Sequence, residues 1–210
     1  MRTIRNQHPT FEHEKILWKN GYNNVAGIDE VGRGAFAGPL VAAGVIFPKD
    51  SFILESLLSD VQDSKLLSAS KRQVLSQKIK KYALQWQIVT VDVDFINKFG
   101  VGKATSFAFD EIIKLLKPDF ALLDAFSAPS FPQTLQKPLI RGDSLSISIA
   151  SASIIAKVYR DELMIKYHSQ FPDYNFRTNK GYGTEQHRKY LRQKGLCPLH
   201  RTSFNLSRFI

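Results

Sequence analysis

Residues 27–39, GIDEVGRGAFAGP, decide between two architectures. Gly32-Arg33-Gly34-Ala35-Phe36-Ala37 has the spacing G-x-G-x-x-G/A, which in a dinucleotide-binding domain opens a helix whose N-terminus holds a diphosphate. Here Gly38-Pro39 and the β-rich run PLVAAGVIF (39–47) follow, so the chain turns back into a second strand. Asp29 and Glu30, just upstream, would also repel a diphosphate. The stretch therefore reads as strand, glycine turn, strand. Two adjacent carboxylates end the first strand, and the glycines after them permit close backbone approach to another molecule.

Working outward, residues 11–20 fit a short amphipathic helix that stops at Gly21, ahead of a strand over Val25–Glu30. SASKRQVLSQKIKKYA (68–83) is helical, with Ser68 or Ser70 as its cap and a basic outer face. LQWQIVTVDV (84–93) alternates and is rich in β-formers, so it reads as a third strand. Residues 102–117 form a helix that must end before Pro118, and FALLD (120–124) is a short buried strand ending on Asp124. PLIRGD (138–143) is a short strand or extended segment. Residues 144–170, SLSISIASASIIAKVYRDELMIKYHSQ, begin with an alternating pattern and continue with a helical one. One long helix is the reading here, its Ser and Ala residues allowing close packing on its neighbours. A basic helix over 184–194 and an irregular tail complete an α/β chain with a mixed sheet.

The 210 residues suffice for one domain with a sizeable core. At 43% hydrophobic and 23% charged, the composition is that of an ordinary soluble protein. The single cysteine, Cys197, excludes an internal disulfide framework and fits a reducing compartment. The N-terminus is too polar and acidic for a secretory leader, and the longest apolar run is far short of a membrane span. A cytoplasmic location is the expectation. The net charge is +10, and Lys157–Ile210 carries 11 Lys and Arg against 4 Asp and Glu, so most of the excess lies in the last quarter. Tyr174, Phe176, Tyr182, Tyr190 and Phe204 interleave with those charges, a mixture that suits nucleic acid rather than a membrane surface.

Four acids end apolar segments: Asp29, Glu30, Asp124 and Asp143. Singly, each also fits a cap or an ion pair, and Asp143-Ser144 stands just before a helix. Together, on neighbouring strand ends, they would lie within a few ångströms, and a divalent cation is the usual remedy for such repulsion. Oxygen ligands without a matching His or Cys set favour Mg²⁺ or Mn²⁺. In a basic protein this suggests two-metal phosphodiester hydrolysis. One objection stands: successive strand side chains face opposite ways, so Asp29 and Glu30 share a site only if the strand bends or ends there.

GIDEVGRGAFAGPLVAAGVIF (27–47), DSKLLS (63–68), LLDAF (122–126), RGDSLSISIASASIIAKVYRDELM (141–164), NKGYGTEQH (179–187) and CPLHRTSF (197–204) together resemble type 2 ribonuclease H, in particular the bacterial ribonuclease HII branch. The short segment before the first strand argues against ribonuclease HIII, which has an additional N-terminal domain. The resemblance implies a ribonuclease H-like fold: a mixed five-stranded sheet flanked by helices, with a helical C-terminal part. It implies one catalytic domain over 1–210, with about 171–210 as a basic substrate-binding part. It places the family's metal-binding catalytic acids on Asp29, Glu30, Asp124 and Asp143, served by two Mg²⁺ or Mn²⁺ ions. It also implies that Gly32, Arg33 and Gly34 sense a ribose 2′-OH in the minor groove and that Tyr182 stacks near a ribonucleotide–deoxyribonucleotide junction. Lys65 and Lys180 would hold phosphates. Asp161 reads equally as an outer-shell residue or a helix-surface acid.

The expected substrates are RNA/DNA hybrids and DNA duplexes containing ribonucleotides, and the simplest oligomeric state is a monomer. His187 and His200 are expected at surface or phosphate-contact positions, and Cys197 to pack rather than react. Arg141, Asn179, Leu66 and the tail NLSRFI depart from the family pattern, but none is a proposed ligand. Two other readings remain: a different ribonuclease H-fold nuclease such as a resolvase, and a non-catalytic nucleic-acid binder whose acids are merely capped or paired.

Overall fold

The structure, a computed structural model, describes residues 8–49 and 52–209. Residues 1–7, part of the segment read as no secretory leader, lie outside the described residues. The elements run α1 (Glu12–Lys19), β1 (Val25–Val31), β2 (Leu40–Ile46), α2 (Phe52–Leu57), α3 (Ala69–Tyr82), β3 (Gln85–Val91), α4 (Val93–Phe99), α5 (Val101–Leu116), β4 (Phe120–Asp124), β5 (Gln136–Leu139), α6 (Ile147–Gln170), α7 (Phe176–Asn179) and α8 (Glu185–Lys194). Among the described residues no helix is long and apolar enough to cross a membrane.

The five strands form one mixed sheet in the order β3-β2-β1-β4-β5. β1 and β2 are the antiparallel hairpin that GIDEVGRGAFAGP prescribed, and β2 pairs antiparallel with β3. β4 lies parallel to β1 and β5 parallel to β4. Pro138, which cannot donate to a ladder, is accommodated because β5 is an edge strand.

Alternation along the strands divides the interior in two. Val41, Ala43 and Val45 of β2 face a core shared with α1, α3 and α6, while Leu40, Ala42 and Ile46 face a core shared with α5. α6 is one continuous helix and lies hard against β1. A Cβ on Gly27 would fall 2.2 Å from the Ser148 carbonyl carbon, so only glycine admits the helix there. Small residues on the helix, including Ser148, Ala150, Ala152 and Ala156, are buried, as the close-packing expectation required.

Local chemistry sets the boundaries. Ser68 caps α3 by accepting the Lys71 N–H at 3.2 Å. α5 stops at left-handed Lys117, directly before Pro118. The third strand ends two residues earlier than its alternation suggests. The Asp92 carboxylate accepts the Phe95 N–H at 2.8 Å and starts α4, a helix that the sequence reading missed. α7 was also missed, because four residues between left-handed Asn175 and Lys180 leave no period to detect.

The C-terminal segment adds a third core. Phe176 and Leu191 pack with Met164 of α6 and with Ala37 from the loop after β1. This part therefore rests directly on the glycine turn.

Candidate active site

The parallel register of β1 and β4 aligns Ile28 with Leu123, which brings Asp29 and Asp124 level at the C-terminal ends of adjacent strands. Beyond this level β1 stays paired with β2, through Glu30↔Ala42 and Val31↔Val41, while β4 turns away at left-handed Ala125. The strand does not end at Glu30, as one answer to the alternation problem required. Instead, the sheet forks on its β4 side. A cleft of about 520 Å³ opens at the fork, and Asp29, Glu30 and Asp124 all line it.

Asp143 sits beside the cleft in a 3₁₀ turn, Gly142–Ser144, and is only 8% exposed. The Gly142 N–H donates to Asp124 Oδ1 at 2.7 Å and ties that turn to the end of β4. Asp143 is not the cap of α6. Ser146 is, accepting the Ile149 N–H at 3.2 Å. The same helix start holds Glu14, an acid the sequence reading passed over. Its buried carboxylate accepts from Ser146 Oγ at 2.6 Å and from the Ser148 N–H at 3.1 Å. Glu14 thus binds the first turn of α6, the helix that follows the Asp143 turn.

All four acids resist ionisation. Asp29, 4% exposed, is held well above the usual carboxylate range by burial and then by Glu30 and Asp124. Burial and Asp124 push Glu30 up to about 8, against Arg33 and Lys65. Burial first, then neighbouring acids, raises Asp124 and Asp143 as well. Glu30 Oε2 is buried with no hydrogen-bond partner. Among the described residues no three His, Cys, Asp or Glu side chains are grouped closely enough to hold a metal ion as they stand. Excess carboxylate charge, an orphaned oxygen and an absence of soft ligands fit a hard divalent cation.

The glycine turn forms another wall of the cleft through Gly32, Arg33 and Gly34. Gly32 has φ +91, and a Cβ there would meet Arg160 Nε at 2.1 Å, which excludes any side chain. The Arg33 guanidinium stacks on Phe126, 4.1 Å from the ring centre. Tyr182 faces these residues across the cleft, with Lys157 Nζ and Arg160 Cζ at 5.6 and 5.3 Å from its ring. Lys65 lines the cleft and reaches Asp143 Oδ2 at 3.8 Å while remaining 79% exposed.

Lys180 and Asp161 lie one groove away, in a space of about 340 Å³ that shares Arg72 and Lys157 with the cleft. Asp161 pairs with Lys157 at 2.7 Å and with Arg72 at 3.7 Å. Burial, joined by Lys157, Arg72 and Arg177, lowers the Lys180 pKa against the pull of Asp161. These two residues belong to a basic groove continuing from the acids.

Two buried arginines were not anticipated. Arg160 donates to the carbonyls of Pro39, Ala37 and Lys180 at 2.9, 3.1 and 2.9 Å. Arg201 donates to Arg33 O at 2.8 Å and twice to Gly38 O. They fasten the glycine turn to the loop of Tyr182. Their only trace in the sequence is an arginine in each of KVYRD and CPLHRTSF. His187 and His200 correct an expectation outright: they are 0% and 1% exposed and face each other inside the C-terminal core rather than at the surface. Cys197 is half-buried with its thiol pKa raised by burial, which suits packing rather than reaction.

The family model of ribonuclease HII matches residues 26–207. A ribonuclease HII of Caldanaerobacter subterraneus subsp. tengcongensis is 45% identical over 194 residues, covering 91% of this chain and 78% of the relative. One from Listeria monocytogenes is 44% identical over 196 residues, covering 92% and 72%. Among solved structures, the ribonuclease HII of the PCNA:RNase HII complex from Archaeoglobus fulgidus superposes with TM-score 0.71 at 28% identity, covering 87% of this chain and 96% of that one. The ribonuclease H2 of Pyrococcus horikoshii, TM-score 0.72 at 22% identity, shares the fold, with 88% and 95% covered. With the hairpin, the five-stranded sheet and a family match across nearly all described residues in agreement, the chain belongs to the ribonuclease HII family and is a metal-dependent ribonuclease acting on RNA/DNA hybrids.

Proposed function

We propose that this ribonuclease cuts the RNA strand of RNA/DNA hybrids, and lone ribonucleotides within duplex DNA, by two-metal hydrolysis that leaves a 5′-phosphate and a 3′-hydroxyl. One observation carries the reading: Asp29, Glu30 and Asp124 line the same cleft as Gly32, Arg33, Gly34 and Tyr182. The group that is cut must lie beside the sugar that is sensed, and a single cleft supplies both.

Asp29, Glu30, Asp124 and Asp143 are the residues that would hold Mg²⁺ or Mn²⁺. Such ions, when bound, make a water a better nucleophile and stabilise the departing 3′-oxygen. The protein's own groups do the rest. Gly34 leaves open space beside the turn, and Gly32 lets Arg160 pack against it, so main-chain groups can reach a 2′-OH, which is both donor and acceptor. Arg33, held by its stacking on Phe126, and the exposed Lys65 offer cations to the cut strand. Lys180, with Arg72 and Lys157, extends that positive track along the neighbouring groove, and Asp161 orients Lys157 and Arg72 without reaching the acids. The same proposal covers a single catalytic unit whose residues 171–210 engage substrate, working as a monomer in the cytoplasm.

Asp124→Asn tests the acid assignment. Cleavage in Mg²⁺ or Mn²⁺ should fall by about a hundredfold or more, while hybrid affinity measured without divalent ions stays within about twofold of wild type. Unchanged cleavage would remove Asp124 from the site.

A further inference from the structure

The buried histidines join into a directional chain of hydrogen bonds that ends on the substrate loop. The Cys197 N–H, which can only donate, meets His200 Nδ1 at 2.9 Å. The Tyr182 carbonyl, which can only accept, meets His187 Nδ1 at 2.9 Å. For two neutral rings, the Tyr182 end sets the tautomers. His187 carries its proton on Nδ1, so its Nε2 is an acceptor. The His200 Nε2–H therefore donates to His187 Nε2, 3.1 Å away, which leaves His200 Nδ1 without a proton. His200 Nδ1 also lies 3.2 Å from the Cys197 carbonyl, and with both rings neutral it accepts from the Cys197 N–H. Burial lowers both pKa values, that of His200 to about 4.

We infer that His187, set in its tautomer by His200, is a positioning residue that fixes Tyr182 in the cleft and so sets the preference for an isolated ribonucleotide. The inference rests on the reading of Tyr182 as a substrate contact. The loop needs such a restraint. Lys180 and Gly181 just before it are left-handed, at φ 51 and 82, and beyond Tyr182 the chain enters α8 at Thr184. Gly181 is already secured, since its carbonyl accepts from the N–H groups of Phe36 and Ala37 at 2.8 and 3.1 Å. Past that anchor, the Tyr182 carbonyl is held by the Thr184 N–H at 2.8 Å and by His187. The Tyr182 N–H donates to the Asn179 carbonyl at 2.9 Å, and His187 ties the Tyr182 carbonyl to the buried core, where His200 packs edge-on against Tyr174 and at a tilt against Phe176.

The consequence depends on substrate. A lone ribonucleotide presents its junction wherever it is bound, whereas a continuous hybrid presents junctions only at its ends. Loosening Tyr182 should therefore harm the first far more than the second.

Two variants of similar size separate the atoms involved. His187→Asn places an amide N–H where Nδ1 stood and keeps the bond to Tyr182. His187→Gln places its amide where Nε2 stood and keeps only the contact with His200. kcat/KM is measured on a DNA duplex with one ribonucleotide and on a continuous hybrid. His187→Gln should lower the ratio of the two about tenfold, the effect of roughly one hydrogen bond. His187→Asn should leave it within about twofold, and in a Tyr182→Ala background His187→Gln should cause no further loss. A wild-type ratio in His187→Gln, equal impairment of both variants, or full additivity with Tyr182→Ala would reduce the pair to core packing. A Tyr182→Ala protein with the wild-type ratio would instead overturn the substrate role of Tyr182, a separate result.

Discussion

Glu30 shows what the site costs the fold. Its carboxyl is buried among like charges, so its pKa rises from 4.5 to about 8 on folding. A group raised in this way contributes stability that is complete below the unfolded pKa and is lost as pH climbs through the folded one. Without divalent ions, wild-type stability should therefore decline between pH 4.5 and 8. Glu30→Gln has no proton to lose there. By scanning calorimetry in chelator it should match wild type near pH 4.5 and melt about 5 °C or more higher at pH 8. A gap that does not change with pH would mean that the carboxyl is not buried among charges as described. The four acids were legible in the sequence because each ends an apolar segment. Glu14 was not, because the helix start it caps lies 132 residues away and forms only on folding.

At the scale of elements, the β1–β2 hairpin and the helix α6 are the decisive pair. Glycines that look interchangeable in the sequence have different duties here. Gly27 admits α6 onto the sheet, so Gly27→Ala should destabilise by about 4 kcal/mol or more, or fail to fold. Around Gly34 nothing lies within 4 Å of an added Cβ, so Gly34→Ala should keep stability within about 1 kcal/mol in urea titration. Its methyl would project into the cleft and reduce cleavage. Equal stabilities for the two variants would contradict the close approach of α6. Hydrophobic period and turn chemistry disclosed most elements. They missed α2, six residues long, α4, where the Asp92 side chain competes with the strand ladder, and α7, which is one turn long. The buried role of Arg160, Arg201, His187 and His200 could not be read from spacing. Their partners are main-chain atoms or each other, brought together only when the tail folds onto the glycine turn.

Across the whole molecule, two assemblies meet at one cleft. The forked sheet brings the acids together. The C-terminal core, through two arginines and a histidine pair, holds the glycine turn and the loop of Tyr182 against them. The central claim is that cutting and sugar sensing are a single event in that cleft. It is tested most directly by incubating the protein and Mg²⁺ or Mn²⁺ with a DNA duplex containing one ribonucleotide, beside the same duplex made wholly of DNA. The new ends are then identified by mass spectrometry. Cleavage should occur only at the ribonucleotide, yield a 5′-phosphate and a 3′-hydroxyl, and stop on addition of chelator. Equal cutting of both duplexes, or cutting that survives chelation, would contradict it.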